Sequence, residues 1–272
     1  MGGQDAQRGS AVESGAHPAR VYDFILGGTD NFPADRAAAE ETCRHWPALP
    51  VHMRANRAFM HRATHVLARE HGVRQFLDIG SGLPTRPNLH EVAQQAAPDA
   101  RVVYVDNDPL VLEHSRALLD GTSQGRIAYL DADMRKPGDI LEAPGFRDTI
   151  DLGEPVGLTV IGVLHFLLDG DDAPGLLARL LEPLPPGSFL AASIATADFA
   201  PEEVGRVARE YEAQGMPMRL RTRAEAEALF TDRGLDLTAP GVVQVHHWRP
   251  GPDDEKAPDR DIAMYGAVAR KP

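Results

Sequence analysis

The chain of 272 residues, 43% hydrophobic and 25% charged, has the composition of a globular protein large enough for one decorated core or two small ones. Forty acidic against 28 basic residues leave a formal charge of -12, which repels polyphosphate and argues against broad binding to nucleic acid or an anionic membrane. A single cysteine, Cys43, excludes an internal disulfide and a multi-thiolate metal cluster within one chain, as expected for a reducing cytoplasm.

No run reaches the ~20 apolar residues that cross a bilayer, and the polar N-terminus lacks the apolar stretch of a signal peptide. The expectation is a cytoplasmic protein without a membrane partner. Residues 1–17 are rich in Gly, Ser, Gln and charge and predict a flexible tail, because they cannot offset the entropy of ordering. The rest, 18–272, reads as one domain with a helical cap over 18–72 and a layered core over 73–272.

Helical patterns run around Val21–Leu26, Ala34–Arg44 and Val51–His71, the last carrying Phe59, Ala63, Val66 and Leu67 at helical spacing. Gly72 suits the left-handed residue that closes a helix. Apolar runs then alternate with helical segments, the pattern of a parallel sheet covered on both faces. Strands are expected at 75–80, 101–106, 126–131, 156–163 and 187–194, with helices near 88–97, 109–119, 137–143 and 172–183. Thr222 and Glu225 form a capping box that opens a further helix closing near Gly234. The late runs 241–248 and 262–269 are too close for a helical crossover, so they predict an antiparallel hairpin with a long loop.

The stretch Phe76-Leu-Asp-Ile-Gly-Ser-Gly82 is a buried strand running into a glycine turn, where the missing Cβ lets a ligand approach the main chain. The next strand ends in Asp106, whose carboxylate can accept both hydroxyl protons of a ribose. Together they describe an adenosine-sized pocket at the carboxyl edge of the sheet. A dinucleotide would want a third glycine where this chain has Thr85, and a helix starting sooner than Arg86-Pro87-Asn88 permit. A cofactor without phosphates fits this loop better.

These residues resemble the class I methyltransferases that use S-adenosylmethionine. More narrowly, the chain is similar to a bacterial family of methyltransferase-like proteins with uncharacterised substrates. The matching stretches begin with Ala19-Arg-Val-Tyr-Asp-Phe-Ile-Leu-Gly-Gly-Thr-Asp-Asn-Phe32, Arg54-Ala-Asn-Arg-Ala-Phe59 and Phe76–Thr85, and continue through Val103–Pro109, Asp131-Ala-Asp133 and Val163-Leu-His-Phe166. The resemblance implies an α/β three-layer sandwich with a mostly parallel seven-stranded sheet, its last strand antiparallel. It implies that Asp78, Gly80, Ser81 and Gly82 line the methionine side of S-adenosylmethionine, with Asp106 and the adjoining Asn107 at the ribose. It also implies that Asp133 accepts the adenine amino proton beside the Met134 main chain. Many class I enzymes have a third glycine in the first loop, whereas this chain has Leu83-Pro84-Thr85.

Methyl transfer from a sulfonium needs alignment above all, and a base only where the acceptor carries a proton. His165, just past the fourth strand, is the candidate base, and a histidine that merely packs there is the alternative. Asp169, Asp171 and Asp172 read as a solvated loop leading into a helix cap rather than metal ligands. His61 and His65 read as surface residues, and His246 and His247 as alternating on a strand. Tyr22, Gly28 and Asn31 form a glycine-containing turn that is expected to fold over the cofactor as a lid, with Asn56 and Arg57 beside it. The expected partner is a small-molecule methyl acceptor. A nicotinamide-dependent oxidoreductase and a non-catalytic S-adenosylmethionine-binding protein remain the competing readings.

Overall fold

The structure, a computed structural model, describes residues 15–111 and 121–272. Residues 1–14 of the expected tail, and the helix expected over 109–119 beyond residue 111, lie outside the described residues. Three helices open the fold: α1 (Pro18–Ile25), α2 (Pro33–His45) and α3 (Leu49–Arg69). Each has a proline in its first turn, where the missing N–H costs nothing. Then come β1 (Gln75–Ile79), α4 (Leu89–Ala96), β2 (Arg101–Asp106), β3 (Arg126–Asp131), α5 (Pro137–Glu142), α6 (Pro144–Arg147) and β4 (Gly157–Val160). The chain ends with α7 (Ala173–Leu181), β5 (Phe189–Ala195), α8 (Pro201–Ala213), α9 (Arg223–Thr231), β6 (Asp236–Leu237), β7 (Val243–Gln244) and β8 (Met264–Arg270).

Among the described residues seven strands form one sheet in the order β3-β2-β1-β4-β5-β8-β6, with the short β7 also paired to β8. The first five are mutually parallel, as the sequence predicts, and β8 runs antiparallel to β5, in keeping with the antiparallel last strand that the resemblance implies. From β1 the chain crosses first to β2 and later to β4 on the opposite side. That reversal opens a crevice at the carboxyl ends of β1 and β4.

Apolar clusters cover both faces of the sheet. Leu77, Val103, Leu158 and Leu190 pack with α7 and α9 on one side, and Phe76, Val102 and Ala191 pack with α3 and α4 on the other. Phe59, Ala63, Val66 and Leu67 are the stripe of α3 that covers the second face. The C-terminal half of α3 is therefore a layer of the sandwich, and the cap proper consists of α1, α2 and α8. These form a third cluster through Val21, Ala38, Trp46, Val204 and Tyr211.

The predicted hairpin is present as β7–β8, with Val243 opposite Gly266, but only Val243 and Gln244 of its first arm pair in the ladder. The arm then turns in a short 3-10 segment, Val245–His247, because the Arg62 guanidinium takes the carbonyls of Val245 at 2.6 Å and Trp248 at 2.9 Å. His246 and His247 consequently do not alternate, and both rings approach Asp259 Oδ1, at 3.3 and 2.7 Å. Among the described residues no helix is long and apolar enough to cross a membrane.

Candidate active site

Strand β1 delivers the chain to a turn that only glycine can make. Gly80 and Gly82 have φ of +68° and +65°, a region that L side chains avoid. A Cβ on Gly80 would lie 2.3 Å from Val163 Cγ2, whereas one on Gly82 would meet open space. The main-chain N–H groups of Gly80 and Ser81 both donate to the Val105 carbonyl, at 2.8 and 3.1 Å, which seats the turn against the end of β2. Asp106 completes that junction by accepting from Gly82 N at 2.8 Å and from Asp108 N at 3.0 Å.

Both carboxylates here are buried. Asp78 stands opposite Thr159 of β4, whose hydroxyl donates to Asp78 Oδ1 at 2.5 Å. Burial pushes the Asp78 carboxyl up to about 7, against the hydrogen bond from Thr159 and the positive charge of Arg57. Burial also raises Asp106, opposed by its two main-chain donors. Asp133 sits at the rim beyond β3, where Arg135 donates to it from its main chain at 2.9 Å and its side chain at 3.1 Å.

The cap is fastened to this edge by a buried ion network. Arg20 donates from Nε to Asp35 at 2.9 Å and from Nη1 to Asp108 at 2.7 Å, so α1 and α2 are tied to the loop after β2. His17, at the N-cap of α1, lies 3.1 Å from the same Asp108 carboxylate, so part of the expected tail belongs to the site. From α3, Arg57 donates to the carbonyls of Thr85 and Pro87 and pins the first loop. Its Nε and the Asn56 Oδ1 are buried without hydrogen-bond partners. The Tyr22 hydroxyl donates to the Met53 carbonyl at 3.0 Å.

One cavity of about 580 Å³, within the range that holds a small ligand, is lined by the glycine turn, Asp78, Asp106, Asp133, Arg57 and His17, while Thr159, Arg20, Asp35 and Asp108 support it from behind. Of the residues the sequence singled out, Asp78, Gly80, Ser81, Gly82, Asp106, Asn107, Asp133, Met134, Tyr22, Asn56, Arg57 and His165 all reach its wall. Gly28 and Asn31 do not. The Asn31 amide donates to Asp23 Oδ2 at 2.8 Å, and a Cβ on Gly28 would lie 2.0 Å from Asp23 Oδ1. The close approach at Gly28 is thus to a neighbouring carboxylate that itself lines the cavity.

His165 lies in the turn Leu164–Phe166 after β4, with its Nδ1 buried and unpaired. Arg221 holds that turn by donating to the carbonyls of Leu164 at 2.6 Å and Leu167 at 3.1 Å. Burial first, then the neighbouring His52 and Arg221, hold the His165 ring down to about 3, so it is neutral at ordinary pH. His52 is neutral too, lowered to about 4 by burial, and its Nδ1 accepts from Ala263 N at 3.2 Å.

His17, Arg20, His52 and Thr159 escape sequence reasoning. The pair His17-Pro18 does carry a signal, since a polar N-cap before proline marks a helix start. His61 is half-buried rather than a surface residue, its Nε2 2.9 Å from the Pro87 carbonyl beside Arg57. Asp171 and Asp172 serve local turns, accepting from Leu168 N and Gly175 N, in agreement with the loop reading.

The family model described as S-adenosyl methyltransferase matches residues 5–272. A DUF574 family protein from Streptomyces avermitilis MA-4680 shares 62% sequence identity and superposes with a TM-score of 0.92, over 96% of this chain and 99% of that one. A candidate methyltransferase from Thermobifida fusca YX shares 38% identity with a TM-score of 0.87, over 96% and 97% of the two chains. Human N-acetylserotonin methyltransferase, solved with S-adenosylmethionine, shares only the fold, at 17% identity and a TM-score of 0.52 over 98% of this chain and 66% of that one. No curated protein matches the sequence. With a glycine turn, a strand-end carboxylate and a family match over nearly its whole length, the chain belongs to the S-adenosyl methyltransferase family, whose methyl donor is S-adenosylmethionine.

Proposed function

We propose that the protein methylates a small organic acceptor inside the cavity, by in-line displacement on S-adenosylmethionine. The observation that carries this reading is the continuity of that cavity. One space of about 580 Å³ is lined both by the glycine turn with Asp106 and by His165 with Tyr211 and Val204 of the cap. A donor and a second small molecule can therefore share it.

The residues present fit the donor. Gly82 leaves open space where a side chain would stand, and Asp106 keeps lone pairs free for ribose hydroxyls after accepting from two main-chain N–H groups. Asp133 and the Met134 main chain would border the adenine. The amino-acid end needs one anion and one cation. Asp78 and Arg57 supply them on the same wall and form no ion pair with each other, which suits a zwitterion between them. Asn56 Oδ1 and Arg57 Nε, both buried and unpaired, are further groups awaiting a partner. Asn56 and Arg57 accordingly belong to the donor's seat as much as to a lid.

When bound, S-adenosylmethionine supplies an electrophilic methyl group: its C–S bond breaks, the sulfur regains the electron pair, and a bond forms to the acceptor atom. Approximation of the two reactants can account for much of the rate, since the sulfonium is already activated. Where the acceptor atom bears hydrogen, a ring nitrogen of His165 would accept a hydrogen bond from it and orient its lone pair, and any proton it takes up is passed on, since burial holds the ring down to about 3.

A nicotinamide cofactor suits the first loop less well. Helix α4 does not begin until Leu89, and its N-cap, Asn88, is already engaged with Glu91 and Thr85 N. The test is a metabolite screen with isotopically labelled S-adenosylmethionine read by mass spectrometry, alongside calorimetry with S-adenosylhomocysteine and NADH. Transfer of label to a small molecule supports the reading. Tight NADH binding without S-adenosylhomocysteine binding overturns it.

A further inference from the structure

Of the seven methionines in the chain, the six beyond Met1 all line this cavity: Met53, Met60, Met134, Met216, Met218 and Met264. Chance does not gather every internal thioether around one void. Thioethers are unbranched and polarizable, adapt to irregular shapes and make favourable contacts with ring edges. Trp46, Phe166 and Tyr211 join them, with the rings of Phe166 and Tyr211 nearly parallel at 22°.

Charge is distributed unevenly around the same space. Asp78, Asp106, Asp133 and Arg135 belong to the strand ends and the segments after them, where the donor is seated, and Arg57 reaches the first loop there from α3. The two remaining charged residues of the lining are engaged locally, Asp23 by Asn31 Nδ2 and Asp30 N, and Asp171 by Leu168 N. Under the cap the polar groups are instead neutral: the imidazoles of His52 and His165, the phenols of Tyr22 and Tyr211, and the amide of Asn56. His52 accepts from Ala263 N through Nδ1, which places its hydrogen on Nε2, and His165 keeps an unpaired Nδ1. A carboxylate or phosphate entering here would lose its water without gaining an ion partner, at a cost of several kcal/mol.

Resting on the methyltransferase reading, we infer that the acceptor is an uncharged aromatic molecule, its ring held by the methionine and aromatic wall and its hydroxyl or N–H donated to the imidazole of His165. Carboxylated and phosphorylated acceptors are excluded by the same wall.

The experiment is a calorimetric titration of the full-length protein saturated with S-adenosylhomocysteine, using matched fragments: naphthalene, 1-naphthol and 1-hydroxy-2-naphthoate. The expected order is 1-naphthol tightest, with 1-hydroxy-2-naphthoate at least about tenfold weaker because its carboxylate is desolvated unpaired. In His165→Phe the advantage of 1-naphthol over naphthalene disappears, and His165→Asn, which keeps a polar atom on a short side chain, restores part of it. Circular dichroism verifies that each variant is folded. Equal or tighter binding of the carboxylate, or no fragment binding while S-adenosylhomocysteine binds normally, overturns the inference. Failure of S-adenosylhomocysteine itself to bind instead removes the methyltransferase reading on which the inference stands.

Discussion

The Asp106 carboxylate accepts a hydrogen bond from the main-chain N–H of Gly82 at 2.8 Å, so the end of β2 holds the turn that follows β1. One side chain thereby fixes the cradle and presents its remaining lone pairs to a ligand. Replacing it removes both functions. Asp106→Ala is expected to weaken S-adenosylhomocysteine binding roughly 10–100-fold, since hydrogen bonds to a charged group are each worth about 1.5–3 kcal/mol. Isothermal calorimetry reads this directly, and unchanged affinity would remove Asp106 from the site.

Arg57 offers a sharper division between cofactor parts. Its guanidinium pins the first loop through the carbonyls of Thr85 and Pro87, so any substitution disturbs that loop to some extent. A comparison of two ligands separates this from direct recognition. Arg57→Met should lose at least about tenfold more affinity for S-adenosylmethionine than for 5′-methylthioadenosine, which has no amino-acid carboxylate. Equal losses for the two ligands would mean that Arg57 only supports the loop.

The glycine turn, the strand-end carboxylate and the strand positions are legible in the sequence because they are local: buried runs, punctuating glycines and the acid that ends β2. His165 is legible from its place in the loop after β4, whereas Met134 comes only from the family resemblance. Thr159 is not, because it faces Asp78 only through the β1–β4 register. His52 and His165 come together from segments far apart in the chain, and no spacing announces that. Arg62 reaches across from α3 to take two carbonyls of the 245–248 turn, which is why the expected strand stops short. Gly28 shows the converse limit: glycine signals close approach but does not say to what, and here the neighbour is Asp23.

The link between cap and core rests on Arg20, buried between Asp35 and Asp108. Removing one member of a buried charge group leaves the others desolvated and uncompensated. Arg20→Met should therefore cost about 3–5 kcal/mol in denaturant unfolding. Loosening α1 from the Asp108 loop should also open the cavity, seen as faster amide exchange in α1 and α2 than in β1. A stable variant with unaltered exchange would show that the network does not hold the cap.

Asp78 makes the site sensitive to pH in a direction that can be fixed in advance. Its carboxyl titrates near 3.8 as a free group and near 7 when folded, chiefly through burial. Between those values the folded protein keeps a proton that the unfolded chain has released. Stability of the ligand-free protein therefore falls as pH rises through this window, and the loss is complete above about 7. Asp78→Asn removes that component, so its thermal stability relative to the wild type should increase from pH 5 to pH 8. Asp106, whose carboxyl is also raised by burial, is present in both proteins and largely cancels in the difference. Ligand binding should show the opposite slope, because the donor's ammonium requires the ionised carboxylate. S-adenosylmethionine affinity should rise between pH 5.5 and 7.5 in the wild type and stay nearly flat in Asp78→Asn. Parallel pH profiles in the two proteins would mean that the ammonium is held elsewhere.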